Sequence, residues 1–283
     1  MIPQADIIAW RRVAPWPDDG MVEQDLVLSR ALVEIFSDAT LAHGLALRGG
    51  TALHKLVLAP PSRYSEDLDF VQVEAGPIGA VLTPLRARLD PWLGKPTWGQ
   101  AASSVTLLYR FASEIPPVSR LRLKVEINTR EHFAVYGYKT RGLAVESRWF
   151  GEGADVRTFH LDELLGTKLR ALYQRRRGRD LFDLWDASRR GDVNPVRVIE
   201  AFQAYLKAED LRVTRAEFVR NLAAKARNRL FIEEVTPLLA PGIAYDARTA
   251  LDLVQRQFVE RLPGDARKKI STLGADGVRD GSA

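Results

Sequence analysis

Two carboxylates one residue apart, Asp67 and Asp69, stand in the run Ser65-Glu66-Asp67-Leu68-Asp69-Phe70. In a strand successive side chains alternate between faces, so both acids project the same way, about 6–7 Å apart, while Leu68 and Phe70 turn to the core. Two hard oxygen donors at that spacing suit Mg²⁺, which takes one or two carboxylates and completes its shell with water and substrate phosphates. One such ion, or a pair, activates an attacking hydroxyl and neutralises a leaving pyrophosphate. The competing reading is structural: a polar strand edge, or acids paired with nearby Arg63.

Other residues extend this chemistry. Gly49-Gly50-Thr51 lies between a short apolar run and a helical one, so its backbone N–H groups and the helix start can cradle a phosphate, with the Thr51 hydroxyl as a further donor. Arg48 and Ser65 flank that cradle. A glycine pair also serves an ordinary tight bend. Glu126 is the candidate third acid. It shares the polar face of its strand with Arg122, Lys124 and Asn128, so metal ligation and simple solvation both stand. Lys168 sits beside a leucine stripe, either offsetting phosphate charge or laying its stem along apolar surface. Asp180 follows Gly178, either in the site or as a first-turn acid that offsets a helix dipole. Arg175, Arg176, Arg177 and Arg179 crowd the link between these two residues, suited to RNA phosphates or to a solvated helix face.

The elements that must position these groups follow from periodicity. Apolar spacing predicts a helix over about 23–40 that stops at Gly44, a buried strand over 45–47, a helix over 51–58, and strands over 67–73, 104–111 and 121–128. Beyond about Phe159 the pattern becomes helical. Stripes run over 161–172 and again after Gly178, with further helices over 195–206, 215–229 and 247–262. The expected fold class is α+β and bilobed, with an α+β lobe over 1–155 and a helical lobe over 156–283. The stretch 264–283 is polar and expected to be loose. Phe202, Tyr205 and Phe231 are expected to be exposed on the helical lobe, where they would dock a partner.

Composition bounds the function classes. With 283 residues, 46% apolar and 27% charged, the chain can bury a substantial core and falls among soluble globular proteins. It has no run of eighteen apolar residues, and its start lacks the basic-then-apolar layout of a secretory signal. No membrane partner and a cytoplasmic location are expected. The absence of cysteine excludes disulfides, thiol catalysis and Cys-ligated zinc, and the four scattered histidines form no His-x3-His pair. The net charge of +5 is modest, but the arginine clusters are suited to a phosphate-rich partner.

These residues carry a resemblance. Gly49-Gly50-Thr51, Ser65-Glu66-Asp67-Leu68-Asp69-Phe70, Lys168-Leu169-Arg170-Ala171-Leu172, Arg175 and Arg179-Asp180-Leu181-Phe182-Asp183-Leu184 together resemble the AbiEii/MenT family of nucleotidyltransferase-like toxins, within the DNA polymerase β-like nucleotidyltransferase superfamily. The likeness spans about Leu45 to Trp185. It implies a nucleotidyltransferase-like mixed sheet with flanking helices, and transfer of a nucleotide from an NTP to an acceptor. It assigns Asp67 and Asp69 to Mg²⁺, Lys168 to the nucleotide phosphates, and Asp180 to the acid of the last motif. For the MenT branch it implies pyrimidine addition to the 3′ end of tRNA, which stops translation, and an AbiEi-type antitoxin as partner. Neutralisation by modification of the toxin would fall on Thr51 or Ser65. Two departures stand out: Gly50-Thr51 replaces the common Gly-Ser, and the usual third aspartate appears as Glu126. Other outcomes of the same layout are transfer to a protein side chain or a small alcohol, and a non-catalytic nucleotide- or RNA-binding partner of an antitoxin.

Overall fold

A computed structural model describes residues 2–264 of the chain, so the expectation for the stretch after Gly264 lies outside the described residues. Helix α1 (Gln4–Trp10) leads into α2 (Asp19–Phe36), whose start is capped by the Asp18 side chain accepting the Met21 N–H. The apolar positions of α2, among them Val22, Leu26, Leu32 and Ile35, are fully enclosed. Asp38 then caps α3 (Ala39–Gly44), which passes directly into strand β1 (Leu45–Arg48). Next come the single turn α4 (Gly49–Ala52), prolonged as a π-helical turn over Leu53–Val57, and strand β2 (Asp67–Gln72). Helix α5 (Gly79–Leu93) precedes strands β3 (Thr97–Gln100), β4 (Ser104–Ala112), β5 (Arg120–Asn128), β6 (Tyr138–Glu146) and β7 (Gly151–Phe159).

The strands form one seven-stranded mixed sheet in the order β3-β4-β5-β2-β1-β7-β6. Strand β2 runs antiparallel to β1 and parallel to β5, with Arg48 opposite Asp69, and Asp69 opposite Glu126. On its other side β1 runs parallel to β7. Central strands of this kind are covered on both faces and read as apolar, as Leu45-Ala46-Leu47 does. Helix α2 packs on the sheet against β5 and β7.

The remaining chain is helical: α6 (Leu161–Gln174), α7 (Gly178–Arg190), α8 (Pro195–Lys207), α9 (Arg215–Ala226), α10 (Arg229–Glu233) and α11 (Ala247–Gln257). Its apolar faces join those of the sheet in one continuous buried cluster. The architecture is thus the expected α+β arrangement of a mixed sheet followed by helices.

Three details differ from the sequence reading. The expected boundary at 155 falls inside β7, which belongs to the sheet, so the helical part begins at Leu161. Strands β6 and β7 went unseen because β6 is an edge strand with a mostly exposed burial pattern, and β7 opens with Gly151-Glu152-Gly153. Phe202, Tyr205 and Phe231 are buried rather than exposed. Phe202 packs 5.8 Å from Phe218, and Tyr205 donates its hydroxyl to Glu163 at 2.9 Å, so these rings hold α8 and α9 onto the helical core. Among the described residues, no helix is long and apolar enough to cross a membrane.

Candidate active site

The glycine turn is shaped by what presses on it. Gly49 has φ +79°, a left-handed conformation, and a Cβ there would stand 2.5 Å from Asp69 Oδ2. At Gly50 a Cβ would fall on the Arg63 guanidinium and reach Ser65 Oγ at 3.0 Å. The two glycines therefore let the backbone at the start of α4 approach the Asp69 carboxylate and Ser65. Thr51 departs from its expected role. Its side chain is enclosed, and its hydroxyl donates to the Asp67 carbonyl at 2.6 Å and lies 3.0 Å from Ser65 Oγ. It pins the turn to β2 instead of offering a donor to a ligand, and it is closed to a modifying enzyme; Ser65 remains on the cleft wall.

Asp67 and Asp69 lie on the same face of β2 and line one cleft of about 560 Å³. The cleft also gathers Arg48, Gly49, Gly50, Ser65, Glu126, Lys168, Arg175, Arg177 and Arg179, so residues from Arg48 to Arg179 meet at one place. A larger cavity of about 670 Å³ lies between α5 and β4, mostly apolar and without any of these groups. Burial, and then the neighbouring Asp69 charge, push the Asp67 carboxyl up to about 6. Asp67 Oδ1 is buried and has no hydrogen-bond partner among the described residues. An orphaned carboxylate oxygen beside a second carboxylate is what a divalent cation satisfies, so the donor set fits Mg²⁺ through Asp67 and Asp69.

The third acid is placed differently from a simple ligand. Glu126 stands opposite Asp69 across the β2–β5 ladder, but its carboxylate meets Lys124 Nζ at 2.5 Å. Among the described residues, no three His, Asp or Glu side chains converge closely enough to hold a metal. Lys124 lines the cleft too and was not singled out from sequence.

The downstream motif forms a buried network. Lys168 Nζ lies 2.7 Å from Asp183 Oδ2 and 3.3 Å from Asp180 Oδ1. Asp180 is fully enclosed and receives Arg175 through two nitrogens at 2.7 and 2.9 Å. Burial would raise the Asp180 carboxyl, but Lys168 and Arg175 outweigh it and hold it below the usual range. Asp180 thus supports Lys168 and Arg175 from behind, while those two cations line the cleft. Arg177 pairs with Glu234 at 3.2 Å. Arg179 lines the cleft and makes no ion pair among the described residues, and Arg176 is exposed outside it. Glu131 and His54 carry no sequence signal, and Asp183 stands in the quoted motif without a role, because their partners lie 15 to 129 positions away.

A mixed sheet carrying a glycine turn against an Asp-x-Asp strand, with cations closing the cleft from a following helix, defines a nucleotidyltransferase-like site. The family described as nucleotidyl transferase AbiEii toxin, type IV TA system, matches residues 30–253, and the chain belongs to it. The structure resembles the nucleotidyltransferase toxin MenT4 of Mycobacterium tuberculosis H37Rv, with a TM-score of 0.68 at 18% identity over 93% of this chain and 91% of that one. It also resembles JHP933 from Helicobacter pylori, with a TM-score of 0.53 at 20% identity over 86% of this chain and 93% of that one. At these identities the likeness is one of fold. No sequence among curated proteins matches the chain. Family membership implies transferase activity on an NTP and an antitoxin partner.

Proposed function

We propose that the chain transfers a nucleoside monophosphate, from a pyrimidine NTP, to the 3′ end of tRNA with release of pyrophosphate, and so blocks translation until an AbiEi-type antitoxin restrains it. The observation that carries this reading is Asp67 Oδ1, without a partner among the described residues and buried beside Asp69 in a cleft whose other walls are largely cationic. Asp67 and Asp69 would hold Mg²⁺, which when bound polarises the α-phosphate and offsets charge on the leaving pyrophosphate.

The residues of the chain do the positioning. The Gly49 and Gly50 backbone N–H groups and the Ser65 hydroxyl face the β- and γ-phosphates, and Lys168 and Arg179 balance their charge. The acceptor 3′-oxygen forms its bond to the α-phosphorus as the bond to the β-phosphate oxygen breaks on the opposite side, and the hydroxyl proton is released. Little covalent chemistry falls to the protein, so fixed charge and orientation supply most of the rate. Arg175 and Arg177 on the cleft wall, with the exposed Arg176 between them in sequence, suit RNA phosphates, which give affinity without sequence information.

Incubation with Mg²⁺, each α-labelled NTP in turn and total bacterial tRNA tests the proposal. Label is expected in the tRNA fraction with CTP or UTP. Label confined to a protein band would replace the acceptor with a side chain, and binding of NTP without any turnover would make the chain a binding partner rather than an enzyme.

A further inference from the structure

One lip of the cleft is built from hydrogen-bond donors alone. Glu131, which is 9% exposed, receives Arg170 at 2.6 Å and Arg48 in a closer contact, so both guanidinium groups are anchored on a single buried carboxylate. Burial would raise the Glu131 carboxyl, and the charges of Arg48 and Arg170 outweigh it and hold it low. Arg170 is fixed from two more sides, by Glu209 at 3.0 Å and by the Tyr205 ring 5.0 Å beneath its guanidinium. Asn128 ends β5 beside this pair. Its Oδ1 accepts the Arg130 N–H at 3.0 Å and the Glu131 N–H at 2.8 Å, which fixes the amide orientation. The Asn128 Nδ2 group is left with no acceptor among the described residues, on the wall of the cleft.

The register places this lip relative to the acids. Along β5, Lys124 stands opposite Asp67, Glu126 opposite Asp69, and Asn128 opposite Val71, all three on the cleft face. Asn128 therefore lies one two-residue step, about 6–7 Å, beyond the Asp69–Glu126 level. Thr51 and, through it, the Ser65 hydroxyl are tied instead to the Asp67 carbonyl, while Gly49 at the head of the same turn stands against the Asp69 carboxylate. Nucleotidyl transfer is in line, with the attacking and leaving oxygens on opposite sides of phosphorus. With the triphosphate on the Asp67 side, the Asn128 side is left for the acceptor.

We propose that Asn128, Arg48 and Arg170, positioned by Glu131, form a separate acceptor subsite that binds the phosphodiester preceding the attacking 3′-hydroxyl of an RNA strand. This rests on the nucleotidyltransferase reading and adds to it a division of the cleft. Charge-assisted donors in a fixed array recognise a phosphate and leave base identity unread.

The test is a pair of binding titrations on the full chain, one with a fluorescent single-stranded RNA ending in a 3′-hydroxyl and one with Mg²⁺ and each NTP. Asn128→Asp keeps the acceptor of the Arg130 and Glu131 N–H groups while replacing the free donor by a negative oxygen. It is expected to weaken RNA binding about tenfold or more and to leave NTP binding within about twofold. Glu131→Gln, of the same shape, should act in the same direction on RNA. Unchanged RNA binding in Asn128→Asp, or an equal loss for NTP, would overturn the subsite. Native protein that binds NTP and no RNA would also overturn it while leaving a nucleotide site intact. Native protein that binds no NTP would remove the nucleotidyltransferase reading itself.

Discussion

Arg63 and Asp183, 120 residues apart, form a two-point pair in which Nε meets Oδ1 at 2.6 Å and a terminal nitrogen meets Oδ2 at 2.7 Å, with both side chains enclosed. The same carboxylate takes Lys168 at 2.7 Å and lies 3.0 Å from His54 Nε2. One buried acid on α7 therefore fixes the arginine that touches the glycine turn and the lysine that lines the cleft. Such an arrangement makes the site and the fold of the helical part interdependent.

Removing one member of a buried pair leaves an uncompensated charge, so Asp183→Asn is expected to cost about 3–5 kcal/mol, read as a lower urea midpoint. Burial would raise the Asp183 carboxyl, but Arg63, Lys168 and His54 hold it well below its ordinary value of 3.8. A depressed carboxyl contributes stability that is present above the unfolded value and lost as pH falls through the folded one. Wild type should thus lose stability below about pH 4 by a component that Asp183→Asn lacks. A variant as stable as wild type at pH 7 would remove this network from the account.

Glu23 titrates with the opposite sign. It is enclosed on α2, where it accepts the Glu114 N–H at 3.0 Å, and burial raises its carboxyl to about 7 from 4.5. A raised carboxyl favours the folded state at low pH, and that contribution fades as pH rises from about 4.5 to 7. Glu23→Gln can keep the N–H acceptor without ionising. Its thermal midpoint relative to wild type is expected to improve by a few degrees between pH 5 and pH 8, about 1–2 kcal/mol, in paired melting curves. A constant difference across that range would contradict the assignment.

The glycine turn gives a test of local geometry. Gly49→Ala must place a side chain at φ +79° against Asp69 Oδ2, and Gly50→Ala must displace the Arg63 guanidinium. Each substitution is expected to destabilise the fold by about 1–3 kcal/mol and to weaken NTP binding more than RNA binding. Retention of wild-type NTP affinity by Gly49→Ala would show that the turn does not face the phosphates.

Arg179 separates charge from scaffold. It lines the cleft without an ion pair among the described residues, so Arg179→Ala should leave the melting temperature within a degree or two and raise KM for NTP about tenfold. An unchanged KM would move the triphosphate elsewhere in the cleft.

Much of the site was legible in sequence because it depends on local rules. The Asp67–Asp69 alternation, the Gly49-Gly50 turn and the polar face of β5 each follow from period or backbone chemistry, and all three meet in the cleft. What was not legible depends on distant partners. The Thr51 hydroxyl beside the turn suggests a ligand donor, yet the Asp67 carbonyl, brought in by strand pairing, takes it. The burial of Phe202 and Phe231 is not legible because an amphipathic stripe does not say what covers it. Strands β6 and β7 escaped because an exposed edge and a glycine-rich start carry little apolar alternation. Lys168 and Asp180 allowed both a structural and a catalytic reading from spacing alone, and the fold pairs the two with each other.

The central claim is that Asp67 and Asp69 carry nucleotidyl transfer, and the most direct measurement is pyrophosphate release from NTP in the presence of tRNA and Mg²⁺ by wild type, Asp67→Asn and Asp69→Asn. Both variants keep side-chain shape on an intact strand, so their melting curves should match wild type closely enough to exclude unfolding. The account predicts loss of release by about 10²-fold or more in each. Wild-type release rates in either folded variant would contradict it.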